Sequence, residues 1–302
     1  MITPTYRYFS TLELLDKVKI NIRTRKSTPE IPTGLSSLDD LIWGLHKKEL
    51  LIIAARPSHG KTSLALQIAR NVSRTGKSCV FLSLEMSAES VLERLFCSEV
   101  GLHGWKLRKG DLFEIQRMEE KLSDIESALF ISPIEIIDSM GFTIEQIEQI
   151  LSDFKPEVLM IDHAQKISRK GFTSKYEALA NYVNMLQSLA IKYNVAIVLN
   201  SQINRQGSKD QNAMDFLKGA GDLEECADTL IQCKWTWRDN REYQDRQEFV
   251  IDVIKQKHGP CDKIIVNFDG ACFKFSDRSE KIIVDTFPKK MYDEPKIRKD
   301  IE

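Results

Sequence analysis

The chain has almost no net charge. Its 43 lysines and arginines meet 44 acids, formally -1 over 302 residues. Bulk charge therefore advertises no nucleic-acid partner, and any such contact must rest on a local basic patch or loop. No apolar run approaches the roughly 20 residues that a membrane span needs, so no membrane partner is expected. The opening "MITPTYRYFSTLELLDKV" lacks the basic-then-apolar pattern of a signal peptide. A cytoplasmic protein is expected, in the host cytoplasm if the source is viral. The six cysteines contain no C-x-x-C pair. Several sit in apolar runs, as Cys79 does in "CVFLSLE". They read as buried thiols in a reducing compartment, not as a metal or disulfide framework. Repeats and low-complexity tracts are absent as well. What is present, 42% hydrophobic and 29% charged residues, is the profile of a globular chain with room for one large domain or two small ones.

Three regions differ in pattern. Residues 1–30 hold one short amphipathic helix in "FSTLELLDKVKINIRTRK", capped by Ser10 or Thr11, with Leu12, Leu15 and Val18 on one face. A lone helix of that length is marginal in water, so it needs a surface to pack on. Residues 31–277 alternate. Strand-like runs are "ELLIIAA", "SCVFLSLE", "ALFIS", "EVLMID", "VAIVLNSQ", "DTLIQCKW" and "EFVIDVIKQ". Helical patterns span 63–74, 88–100, 112–125, 143–154 and 175–193. Strands alternating with helices predict an α/β fold with a mostly parallel sheet covered on both faces. "DKIIVNFDGACFKFSD" predicts a closing hairpin turning at Asp269-Gly270. Residues 278–302 are charged, contain proline and read as a mobile tail.

The chemistry concentrates in "LLIIAARPSHGKTSLALQIAR", where a buried strand enters a tight loop and then a helix. Loop and helix N–H groups face an anion in such a turn. Candidate phosphate-binding residues are Ala55, Arg56, Pro57, Ser58, His59, Gly60, Lys61 and Thr62. Lys61 reaches the outer phosphates, and the Thr62 hydroxyl is a Mg2+ ligand. Gly60 permits close backbone approach. Ala55 stands where such loops usually begin with glycine, which is tolerable if it keeps ordinary strand-end dihedrals. In a parallel sheet, ligands lie beyond the carboxyl ends of the strands. "VLMID" ends there in Asp162, well placed to bind the Mg2+ through a water. "FLSLE" ends in Glu85, a candidate base for an attacking water, and "VAIVLNSQ" in Gln202, whose amide can sense a terminal phosphate. Each alone is more often a turn or helix cap; three around one loop are harder to dismiss.

In order and spacing, "IPTGLSSLDDLIWGL", "ARPSHGKTSLALQIA", "FLSLEMSAESVLERL", "LRKGDL", "VLMIDHAQKI", "VLNSQINR" and "KQKHGP" resemble the DnaB-type replicative helicases, over about Ile31 to Asp277. Alanine at the first loop position is usual in that family. The resemblance implies a RecA-like P-loop ATPase core in a homo-hexameric ring, with ATP and Mg2+ between neighbours and single-stranded DNA through the centre. It implies an ATPase and DNA helicase acting in replication, with Glu85 as base, Asp162 at the Mg2+ and Gln202 as the coupling residue. Lys255 and Lys257 fall where the family places two cations that reach into the neighbour's site. The loop "DFLKGAGDLEECAD", with Lys218, Gly219 and Gly221, falls where it contacts the DNA backbone. The N-terminal helix resembles the linker helix that packs on the adjacent subunit, and folding back on its own core is the alternative.

Three departures follow. Lys257 occupies the place of the arginine finger and keeps the charge without the planar fork. A finger contributes roughly a thousandfold or more in rate, so turnover is expected to be slow unless Arg205 or Arg238 substitutes. Lys218 stands for an arginine and Gly219 for an acid in the DNA loop. The family's large N-terminal collar, which meets primase, is not among these residues, so a separate primase or helicase loader is the expected partner. The competing function is a nucleotide-binding RecA-like paralogue that regulates a helicase or acts in recombination without unwinding. His163, Trp235 and Trp237 read as packing residues, and "WRDNREYQDRQE" as a solvated tip.

Overall fold

The computed structural model describes residues 10–24, 28–111, 116, 119, 133–139, 141–168, 175–203 and 227–278. Among these described residues nine strands form one sheet: β1 (Leu50–Ala55), β2 (Cys79–Ser83), β3 (Ile134–Asp138), β4 (Val158–Asp162), β5 (Ala196–Gln202), β6 (Thr229–Trp235), β7 (Glu248–Lys255), β8 (Lys263–Asp269) and β9 (Lys274–Asp277). Their order is β3-β2-β4-β5-β1-β6-β7-β8-β9. From β3 to β6 every pairing is parallel, with β1 central between β5 and β6. From β6 onward every pairing is antiparallel.

All six residues of β1 are buried, which is why its sequence is continuously apolar rather than alternating. Its side chains still divide by the two-residue period. Leu51, Ile53 and Ala55 join one core cluster, while Leu50, Ile52 and Ala54 join the other. Helices α2 (Ser36–Ile42), α3 (Lys61–Arg74) and α4 (Ala88–Val100) contribute to the first cluster. Between α4 and β3 lies the short α5 (Gly104–Arg108). Helices α6 (Ile144–Phe154) and α7 (Lys175–Tyr193) contribute to the second. Ser87 caps α4 through the Ser90 N–H, and Thr143 with Gln146 closes a reciprocal capping box on α6. The carboxylate of Asp277, at the end of β9, accepts from the N–H groups of Ser36 and Ser37 and fastens the start of α2 to the closing hairpin.

The hairpin turns later than the Asp269-Gly270 signal suggests. Asp269 is still in β8, and residues 270–273 form the connection. The Asp269 carboxylate accepts from the N–H groups of Ala271 and Cys272, which organises the longer turn. Gly270 is required for space: a Cβ there would stand 2.4 Å from the Trp235 ring. β3 has no counterpart among the strands expected from sequence. It is an edge strand with half-buried residues, so it lacks the long apolar run that marks the others. The expected strand "ALFIS" and most of the expected helix at 112–125 lie outside the described residues.

Helix α1 (Thr11–Thr24) forms as expected, and the Ser10 carbonyl accepts its first bond from the Leu14 N–H. Its Leu12, Leu15 and Val18 are exposed, at 77%, 42% and 48%, which argues against folding back on the chain's own core. Among the described cysteines all five are free thiols and four are buried, with burial pushing Cys79 up to about 12.

Phe249, fully buried, meets Phe268 and Phe275 edge to face, and the Phe249 and Phe268 rings pack beneath the loop that follows β1. Phe249→Ala is expected to lower unfolding free energy by about 3–5 kcal/mol in denaturant titration. A loss under about 1 kcal/mol would show that this layer is not close-packed.

Candidate functional site

The loop of residues 56–60 leaves the carboxyl end of β1 and enters α3. Ala55 is paired on both sides, with Gln202 and Cys233, so it is an ordinary strand residue and needs no glycine. Gly60 adopts φ +75 as the N-cap of α3. A Cβ there would lie 3.0 Å from Phe268 and 3.3 Å from Phe249. Gly60 is therefore demanded by its backbone and by the aromatic layer beneath it, besides any approach of a ligand. Ser58 is also left-handed, at φ 64. His59 is buried and turned inward. Its Nδ1 accepts the Trp235 N–H at 3.1 Å, and Nε2 lies 3.4 Å from Asp239. Burial lowers its pKa, so the ring is a neutral strut under the loop. Arg56 pairs with the same Asp239 at 3.2 Å.

Lys61 and Asp162 meet at 3.2 Å, with side-chain exposures of 11% and 2%. Burial alone would raise the Asp162 carboxyl. Lys61, the Thr62 hydroxyl and the Asn200 amide outweigh it and hold the carboxyl below its ordinary value. Asn200, from β5, donates to Asp162 Oδ1 at 2.9 Å. Its own Oδ1 is buried with no hydrogen-bond partner among the described residues. The hydroxyl of Thr62 and the carboxylate of Asp162 are the hard oxygen donors that Mg2+ takes, and the Asn200 oxygen beside them is available to a metal-bound water. The residues present fit that ion.

Glu85 sits in the turn between β2 and α4. The Ser83 hydroxyl shapes this turn by donating to the Met86 carbonyl at 2.7 Å and accepting the Met86 N–H at 3.2 Å. The Glu85 carboxylate, 53% exposed, lies 3.1 Å from His163 Nδ1, but without the geometry of a hydrogen bond. Burial, then Lys61, lower the His163 pKa, so its ring is neutral. Gln202 is bracketed by Gln165, which accepts its backbone N–H at 3.0 Å and donates to its carbonyl at 3.1 Å. Lys61, Thr62, Glu85 and Gln202 line one cleft of about 390 Å³. Arg94, delivered by α4, lines it too, and its positive charge faces Asp162 and Glu85.

Asn200, Gln165 and Arg94 were not found from sequence. Asn200 carried a signal, a polar residue inside the apolar run "VAIVLNSQ". Gln165 and Arg94 carried none, since both act through contacts between separate elements. Trp235 and Trp237 are half-buried as expected. Trp235 packs edge-on against Phe268, and the Arg241 guanidinium lies over the Trp237 ring at 3.8 Å.

Lys255 and Lys257 are not in this cleft. Lys255 ends β7 opposite Leu230, near the start of β6. Lys257 pairs with Asp228, whose other oxygen accepts the Leu50 N–H. Lys257 is thus level with the first residue of β1, and the phosphate loop follows its last. Five residues of strand separate them, about 17 Å. Arg238 lies at the other edge, in α8 (Thr236–Asp239) after β6, close enough to His59 to lower its pKa. Lys218, Gly219, Gly221 and Arg205 lie outside the described residues.

A family model, the DnaB-like helicase C terminal domain, matches residues 30–277. The chain belongs to that family. It is 32% identical over 251 residues to a probable plasmid replicative DNA helicase of Chlamydia trachomatis, covering 81% of this chain and 54% of the relative. It is 31% identical over 253 residues to the replicative DNA helicase DnaC of Bacillus subtilis, covering 79% and 54%. The chain therefore spans about half the length of the curated relatives it matches. Its fold matches a separately solved ATPase domain with a TM-score of 0.80 at 23% identity, covering 90% of this chain and all of that one. A DnaB-like replicative helicase, solved in a study of its interactions with primase, matches with a TM-score of 0.80 at 23% identity, covering 88% of this chain and 68% of that one. These likenesses establish the RecA-like α/β architecture. No helix among the described residues is long and apolar enough to cross a membrane.

The depressed Asp162 pKa contributes stability that is present above the unfolded value and lost as pH falls through the folded one. In Lys61→Met the largest opposing charge is gone, burial dominates, and Asp162 protonates at higher pH. The acid limb of the stability-pH curve should move upward in the variant. An unmoved limb would mean that Lys61 does not set the charge of Asp162.

Proposed function

We propose that this chain is the ATP-driven motor of a replicative DNA helicase, working as a ring of six copies that translocates on single-stranded DNA. The observation that carries the reading is the division of the site between two edges of one sheet. Lys61, Thr62, Asp162, Glu85 and Gln202 gather at one edge, while Lys255 and Lys257 stand at the other. Cations so placed suit a neighbour's nucleotide better than their own chain's. The names of the relatives support replication as the setting.

In this reading the loop N–H groups and Lys61 bind the phosphates. Thr62 and Asp162 would hold Mg2+, which supplies charge neutralisation across the outer phosphates. Glu85, exposed and poised at its turn, takes the proton of the attacking water. Gln202, fixed by Gln165, reads whether the terminal phosphate is present. Lys257, steadied by Asp228, reaches the transferring phosphoryl group of the adjacent subunit. Lys218, Gly219 and Gly221 track the DNA backbone, where a ring multiplies a small charge per copy. Residues 1–30 form an arm docking on the neighbour, 31–277 the motor and 278–302 a tail. A separate primase or loader is the expected partner.

The test is steady-state ATP hydrolysis with and without single-stranded DNA at low salt. Stimulation by the strand is expected. Lys61→Ala should abolish turnover, and Glu85→Gln should lower it by about 10²–10⁴-fold with nucleotide still bound. Hydrolysis indifferent to the strand would favour the regulatory paralogue, and normal turnover in Glu85→Gln would place the base elsewhere.

A further inference from the structure

At the edge of the sheet that carries Lys255 and Lys257, two side chains of one turn meet a third from more than two hundred residues later. His46 lies in the turn between α2 and β1, Glu49 directly precedes β1, and His258 lies in the loop between β7 and β8. One ring nitrogen from each histidine and one carboxylate oxygen from Glu49 lie within 4.8 Å of one another. His258 Nε2 is 2.6 Å from Glu49 Oε1. The two rings sit 4.9 Å apart, centroid to centroid. The geometry points to a binding site for a divalent transition-metal ion of the Zn2+ class, held by His46, Glu49 and His258.

The donor chemistry is specific. Two imidazoles and a carboxylate form the three-ligand set of an open zinc site, with a fourth position for water. Imidazole selects Zn2+, Cu2+ or Ni2+ over Mg2+, which separates this cluster from the oxygen donors Thr62 and Asp162. His46 is also supported as ligating histidines usually are. Its Nε2 lies 3.1 Å from the Ile42 carbonyl. A carbonyl only accepts, so Nε2 carries the hydrogen and Nδ1 keeps its lone pair for a metal. His258 Nε2 and Glu49 Oε1 already face each other at hydrogen-bond distance. A tetrahedral zinc spaces its light-atom ligands at about 3.3 Å, so that pair opens slightly and His46 closes. His258 is half-exposed and in a loop, which makes the adjustment small.

The consequence concerns Lys257, the residue before His258. An ion joining His258 to the start of β1 pins the loop whose lysine pairs with Asp228. That consequence rests on the proposed trans role of Lys257; the binding site itself does not.

The experiment is calorimetric titration of the chelator-treated full chain with Zn2+, without nucleotide or DNA. It is run on a Cys261→Ser background, because Cys261 is an exposed thiol in the same loop. One ion per chain with micromolar affinity is expected. His46→Gln and His258→Asn should each weaken binding at least tenfold, while Lys61→Ala leaves it unchanged. Zn2+ should raise the melting temperature of the Cys261→Ser chain and not that of the histidine variants, whose metal-free melting shows that they fold. Absence of saturable binding, or affinity unaffected by His258→Asn, would overturn the site. Failure of the helicase reading would appear in the ATP assay and not in this titration.

Discussion

The ladder between β6 and β7 runs antiparallel, setting Cys233 against Ile251 and Leu230 against Lys255. Everything proposed for this protein depends on that reversal. Had β7 joined parallel, its last residues would have emerged beside the phosphate loop. Because it runs back, Lys255 and Lys257 emerge at the opposite edge, beside the first residues of β1. One sheet then carries Lys61 and Asp162 on one rim and Lys255 and Lys257 on the other. In the proposed reading such an element would be completed by a second copy meeting it rim to rim, the head-to-tail contact that can close into a ring.

The cradle is held by packing beneath it as much as by its own backbone. Gly60 sits on Phe268 and Phe249, and His59 reaches down to the Trp235 N–H. The phosphate loop is therefore fastened to β6, β7 and β8, the strands that also lead to the far rim. Asp162 is the electrostatic centre, a buried carboxylate kept ionised by Lys61, Thr62 and Asn200. A buried charge of this kind is costly to leave unpaired, and Lys61 is its counter-ion. A bound nucleotide would divide Lys61 between phosphate and carboxylate.

Much of this was legible in the sequence, for a physical reason. Strands buried on both faces read as continuous apolar runs, and helices with caps declare their ends, so β1, β4, α4 and α6 appeared close to their observed limits. A phosphate loop is local, so Lys61 and Thr62 were readable from one stretch. Strand-end residues follow from the rule that parallel sheets gather ligands at their carboxyl edge, which brought out Glu85, Asp162 and Gln202. What stayed hidden depends on tertiary contact. β3 is a half-buried edge strand with a mixed pattern. Gln165 and Arg94 matter only through elements distant in sequence. His59, a candidate phosphate contact from its place in the loop, is buried and turned inward instead, bonded to the Trp235 N–H. The cluster of His46, Glu49 and His258 spans more than two hundred residues and exists because β7 runs back to the rim of the sheet where β1 starts.

The central claim is that each active site is shared between two copies. It is tested most directly by complementation. Glu85→Gln damages the cradle rim and Lys257→Ala the opposite rim, so each variant alone should hydrolyse ATP poorly. Mixed in equal amounts and allowed to exchange, they should regain activity, because about a quarter of the sites then join an intact Glu85 to an intact Lys257 from a different chain. Activity that stays at the average of the two separate variants, in mixed assemblies verified by mass, would contradict the account and place Lys257 outside the reaction.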